Sequence, residues 1–86
     1  SVHVSIADKN TEQALKLLQA AAALGHGPSL FSLFDAFSKG EDGAAKDPQR
    51  AACYERLWRE SKEDETKRFP DINRICPLPP APMPPS

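Results

Sequence analysis

The sequence predicts an all-α fold: antiparallel helix pairs followed by an extended, proline-rich C-terminal tail. Three observations lead there. Apolar residues recur at three- and four-residue steps in three separate stretches. Capping residues and glycines punctuate those stretches where helices begin and end. Six of the nine prolines crowd between Pro77 and Pro85, where neither a helix nor a sheet ladder is sustained.

The first helix is expected over 11–24. Asn10 can cap it, Gln13 stands where a capping-box partner belongs, and Gly25 supplies a left-handed stop. Ala14, Leu17, Leu18, Ala21 and Ala22 are expected to form its apolar face. Residues 1–9 alternate Val2, Val4 and Ile6, but a lone strand has no partner here. They read as a linker or the end of a preceding helix.

The second helix is expected over 28–39, with Pro28 in its first turn and Gly40 at its end. Leu30, Leu33, Phe34 and Phe37 form its stripe, and Phe31 stands off that stripe, available for a second contact. A loop over 40–47 leads to Asp47-Pro48, a cap followed by a first-turn proline. A third helix over 48–63 follows, its face built from Ala51, Tyr54, Leu57 and Trp58. The polar run after Ser61 is expected to fray. The chain therefore divides into a leading segment 1–9, a helical repeat segment 10–66 and an extended tail 67–86.

Composition narrows function. A formal charge of −1, with 27% charged residues of both signs interleaved, lacks the basic excess of nucleic-acid or membrane-surface binders. No apolar run approaches the roughly 18–20 residues of a membrane span. His3 and His26 show no ligand spacing with Cys53 and Cys76, so neither a metal nor another cofactor is expected. The two cysteines permit one disulfide or two free thiols. No Ser–His–Asp order, cysteine–histidine pair or phosphate loop is present, and an enzyme is not expected. His26 beside Gly25 reads as a helix-capping group.

Charged side chains of the third helix form a solvated face, with Arg56–Glu60 and Arg59–Glu63 at i,i+4 spacing. Phe31, Asp35, Trp58 and Arg59 are the candidate partner-contacting residues, with Phe31 and Trp58 the aromatics expected to stay partly exposed. The tail either offers a polyproline ligand or straps the last helix pair. The strap is favoured because Ile72, Ile75 and Leu78 need apolar surroundings.

Residues 21–54 give a helix, a tight turn, an antiparallel helix, a glycine loop and another helix, a unit that needs a stacked neighbour. In order, Ala21, Ala22, Gly25, Leu33, Phe37, Gly40, Gly43, Asp47, Ala51 and Tyr54 resemble the signature of the Sel-one-like repeat, a relative of the tetratricopeptide repeat. Ser29 replaces the usual alanine, Phe34 stands where the family has glycine, and the loop before Gly43 is one residue longer. A ring at position 34 should push helices apart unless the repeat is terminal, with an open side.

The tail FPDINRICPLPPAPMPP is similar to the ends of bacterial Sel-one-like immunity proteins paired with type VI secretion phospholipase effectors. The resemblance implies a protein-binding, non-catalytic C-terminal segment with further repeats of its own parent chain before it. It implies a periplasmic location, or otherwise a cytoplasmic one. The alternative is a generic scaffold or adaptor repeat.

Overall fold

The computed structural model describes residues 2–40, 44–79 and 81–84, and of residues 2–9 the backbone alone. Four helices follow in order: α1 (Val2–Ala23), α2 (Gly27–Lys39), α3 (Pro48–Glu63) and the single turn α4 (Ile72–Ile75). No strand occurs among the described residues. The all-α expectation holds. Helix α2 is central, packing against both α1 and α3, while α1 also meets α4.

Helix α1 starts nine residues earlier than its expected start at residue 11, running through Asn10 and Gln13. Those two side chains are exposed helix positions, not a cap. Nothing in 2–10 breaks a helix, since the segment has neither Gly nor Pro, so the helix continues. Its C-terminus closes as a Schellman motif. The Gly25 amide donates to the Ala22 carbonyl at 2.9 Å and the His26 amide to Ala21 at 3.2 Å, with Gly25 at φ 89°.

The inward face of α1 differs from the expected one. Leu15, Gln19 and Ala22 are buried and Leu18 is half-buried, whereas Ala14 is exposed and Leu17 is 74% exposed. The helix carries apolar residues on two sides, and periodicity alone does not say which side meets α2. Helix α2 follows its stripe more closely: Leu30, Leu33 and Phe37 are fully buried. Phe34 is half-buried at the core's edge, its ring edge-on to Phe31 at 5.8 Å.

Gly40, at φ 72°, caps α2 by donating to Ala36, and the Asp47 amide returns to the Phe37 carbonyl at 2.8 Å. Asp47 then caps α3, its Oδ1 accepting from the Arg50 amide at 3.1 Å. Ala51, Tyr54 and Leu57 turn inward, and Tyr54 stacks on Phe37 with ring centroids 5.8 Å apart. Gly43, one of the expected signature residues, lies outside the described residues.

The polar stretch after Ser61 is organised. Asp64 ends α3, and its Oδ1 accepts from both the Thr66 amide and hydroxyl, bonds that hold its carboxyl below the usual range. Position 69 begins a second contribution to the core, in which Phe69, Ile72 and Cys76 are buried with the helices. Within this stretch, expected to be extended, residues 72–75 instead form α4. No proline falls between Asp71 and Cys76, so the backbone is free to make one helical turn, and Cys76 donates to Ile72 at 2.7 Å.

Candidate protein-binding groove

Two arrangements dominate the molecule: an open aromatic groove between α2 and α3, and a buried polar hub under the C-terminal segment.

The groove has a volume of about 780 Å³ and is lined by Pro28, Phe31, Ser32, Trp58, Ser61, Lys62 and Glu65, with Gly25 and Gly27 at one end. Phe31 arises from the open side of α2 and Trp58 from the last turns of α3. Their ring centroids lie 5.2 Å apart. Phe31 remains 43% exposed and Trp58 is half-buried. Lys62, one turn beyond Trp58, sets its ammonium 4.6 Å from the indole centroid. The Ser61 hydroxyl donates to the Trp58 carbonyl at 2.7 Å, which fixes the backbone that presents the ring.

Of the four expected contact residues, the structure brings Phe31 and Trp58 together and leaves Asp35 and Arg59 in pairs within their own helices. Asp35 lies 3.1 Å from Lys39. Arg59 pairs with Glu55 at 3.5 Å, not with the expected Glu63, while Arg56 meets Glu60 at 3.9 Å as the spacing implied. These exposed pairs contribute only tenths of a kcal/mol each.

The hub follows from the chemistry of proline. A proline-rich segment offers carbonyl acceptors and few N–H donors, so the surface beneath it must donate. Arg50 sends Nε to the Pro77 carbonyl at 2.8 Å and Nη2 to the Ala81 carbonyl, and its Nη1 lies 2.5 Å from Asp47 Oδ2. The Cys76 carbonyl accepts from the Tyr54 hydroxyl at 2.5 Å and from Gln19 Nε2 at 3.0 Å. A disulfide joins Cys53 to Cys76, with Cα atoms 5.9 Å apart. No buried side-chain N or O among the described residues lacks a partner.

Electrostatics agree with that geometry. Burial pushes the Tyr54 hydroxyl up to about 12, against smaller opposing effects from Gln19 and the Arg50 charge. For Asp47, burial pulls upward, but hydrogen bonds from the Arg50 amide and guanidinium, with the Arg50 charge, together hold its carboxyl below the usual range.

Sequence reading missed Gln19 and Arg50. The available signal was positional: Gln19 interrupts the buried row Leu15–Gln19–Ala22, and Arg50 lies one turn before Tyr54. His26 acts at the helix end through its backbone amide, while its Nδ1 lies 2.6 Å from the buried Ser29 hydroxyl. Among the described residues, no cluster of three or more His, Cys, Asp or Glu side chains could hold a metal ion, and no helix is long and apolar enough to cross a membrane. Comparison of the chain with protein-family models, curated proteins and solved structures finds no match.

Proposed function

We propose that this chain is a protein-binding helical module that grips its partner through the Phe31–Trp58 groove and performs no catalysis itself. The observation behind this reading is the pair of aromatic rings 5.2 Å apart at the mouth of an open groove, on a body whose buried side-chain polar groups are, among the described residues, all satisfied. Large, stiff aromatic anchors give much contact area for little lost side-chain entropy, which is why they dominate interface energetics.

In the finer form of the proposal, α2 and α3 are the arms of an antiparallel hairpin repeat of the Sel-one-like, tetratricopeptide-related kind. The proline-rich residues after Cys76 are its extended closing strap. The partner is then a secreted bacterial phospholipase effector, met in the periplasm, whose active-site entrance the module occludes. The order of Ala21, Ala22, Gly25, Leu33, Phe37, Gly40, Asp47, Ala51 and Tyr54 supports the repeat. The half-open setting of Phe34 fits a terminal unit. The carbonyl-directed donors Arg50, Gln19 and Tyr54 support a strap over a free ligand.

The test is inhibition and calorimetric titration against a candidate secreted bacterial phospholipase effector, using wild type and Trp58→Ala. Loss of an aromatic anchor should weaken binding by about 2 kcal/mol, roughly 30-fold, with the fold unchanged by circular dichroism. Binding that ignores Trp58→Ala and Phe31→Ala would remove the groove from the proposal. An enzyme that is neither bound nor inhibited would remove the partner.

A further inference from the structure

The Cys53–Cys76 disulfide sits inside the polar hub, and neither cysteine lines the aromatic groove. Cys53 belongs to α3, whose own helical bonds fix its backbone. Cys76 is held without help from its sulfur. Its amide donates to the Ile72 carbonyl at 2.7 Å, and its carbonyl accepts from Tyr54 and Gln19. The next carbonyl along, that of Pro77, accepts from Arg50 Nε at 2.8 Å. The two Cα atoms are 5.9 Å apart, within the span a disulfide bridges. The Cys53 sulfur also lies 3.3 Å from the Ile75 carbonyl, an acceptor for its S–H in the reduced chain.

The two sulfurs differ in access. Cys76 is fully buried, whereas Cys53 is only half-buried. A small thiol or disulfide arriving from solution therefore meets Cys53.

We propose that this pair is a site of thiol–disulfide exchange with small thiols, in which the strap docks first and the bond latches second. Cys53 is the exchanging sulfur, Cys76 is the resolving one, and Tyr54, Gln19 and Arg50 are positioning residues. In closing, the Cys53 thiolate attacks a small-molecule disulfide such as oxidised glutathione, whose S–S bond breaks and releases one small thiolate. The Cys76 thiolate then attacks the Cys53 sulfur of the mixed disulfide, the Cys53–Cys76 bond forms, and the second small thiolate departs. The protein gives up two protons and two electrons, and the small disulfide becomes two thiols. Opening reverses these steps: a small thiolate attacks the Cys53 sulfur, and the electron pair of the broken bond leaves on Cys76. The hub keeps Cys76 beside Cys53, so its effective concentration there is set by the fold. The freed Cys76 thiolate re-attacks before a second small thiol arrives, and a single exchange repairs itself. This inference does not rest on the proposed function.

The test mixes the reduced, folded chain with oxidised glutathione, stops samples with acid and reads intact mass, with peptide mapping to place any adduct. The wild type should pass to the cross-linked form with almost no mixed disulfide at any time, whereas in urea mixed disulfides should accumulate on both cysteines. Folded Cys76→Ala should trap glutathione on Cys53, and folded Cys53→Ala should be labelled on Cys76 slower by about tenfold or more. Arg50→Met combined with Gln19→Leu keeps the side-chain stems and removes donors. It should slow closure by about tenfold or more and let the Cys53 adduct accumulate, with helical circular dichroism retained. Arg56→Ala, on the exposed face of the same helix, should close at the wild-type rate. Equal labelling of the two single-cysteine proteins would overturn the inference. So would mixed disulfide building up in the folded wild type as it does in urea, or closure indifferent to the loss of the Arg50 and Gln19 donors.

Discussion

Gly25 is required twice over. Its φ of 89° lies in the left-handed region, and a Cβ there would collide with the Lys67 carbonyl oxygen, where the returning chain crosses the end of α1. The same crossing lets the Phe69 amide donate to the Ala23 carbonyl at 2.8 Å and Arg68 to the Leu24 carbonyl at 2.9 Å, closing acceptors that α1 leaves open. Gly25→Ala should therefore cost about 2–4 kcal/mol, strain and displacement together, read as a lower urea midpoint at unchanged slope.

Tyr54 is the chain's one tyrosine, so ultraviolet absorbance near the phenolate band reports it alone. In the folded state its ionisation should be displaced from 10.0 toward about 12. A raised acid pKa means the folded protein holds its proton longer than the unfolded chain does. The stability involved is complete below the unfolded value and drains away as pH rises through the folded one. Stability should thus fall in that alkaline interval. Tyr54→Phe should flatten the alkaline fall while costing about 1 kcal/mol at neutral pH, because the Cys76 carbonyl keeps Gln19 as a donor. A tyrosine that titrates at its ordinary value in the folded protein would contradict the buried hub.

At the scale of elements, α3 and the segment after it are held together by covalent and polar links that act in parallel. The Cys53–Cys76 disulfide closes a loop of sequence separation 23 and should contribute about 3 kcal/mol in the loop-entropy account. Cys53→Ala with Cys76→Ala, or added reductant, should lower the melting temperature by roughly 10–20 °C in a domain of this size. The tail should remain seated, because Arg50, Tyr54 and Gln19 still hold its carbonyls. Amide exchange at Cys76 would show this, as its N–H donates to Ile72. Immediate loss of that protection on reduction would mean that the disulfide alone retains the segment.

For the molecule as a whole, the last third is part of the core. Its extents are 44 × 24 × 21 Å with a radius of gyration of 12.6 Å, close to the about 12 Å expected for a compact chain of this length. Three short helices cannot seal their own apolar faces, and Phe69, Ile72 and Cys76 complete the seal. Two buried apolar side chains, Phe69 and Ile72, at up to about 1.5–3 kcal/mol each, plus the crosslink, amount to most of the stability of a small domain. Truncation after Arg68 should leave helical circular dichroism without a cooperative melt. A truncated chain melting within a few degrees of the full one would show the segment to be an appendage.

Much of this was local enough to read from sequence. The span of α3, its Asp47 cap, the stripe of α2 and the glycine stops each depend on neighbours within one helical turn, so spacing reveals them. Three things were not. Which side of α1 faces inward depends on α2, because Leu17 and Leu15 are equally apolar and only packing distinguishes them. The burial of Gln19 and Arg50 depends on carbonyls 57 and 27 residues further on. The approach of Phe31 to Trp58 depends on how two helices cross. Sequence determined where α1 stops and where α2 and α3 begin and end, since that is decided by short-range hydrogen bonding and sterics; the early start of α1 and the turn α4 were not read from it. Which faces are covered, and which polar groups are matched, was decided by the tertiary structure alone, because those energies belong to pairs of residues far apart in the chain.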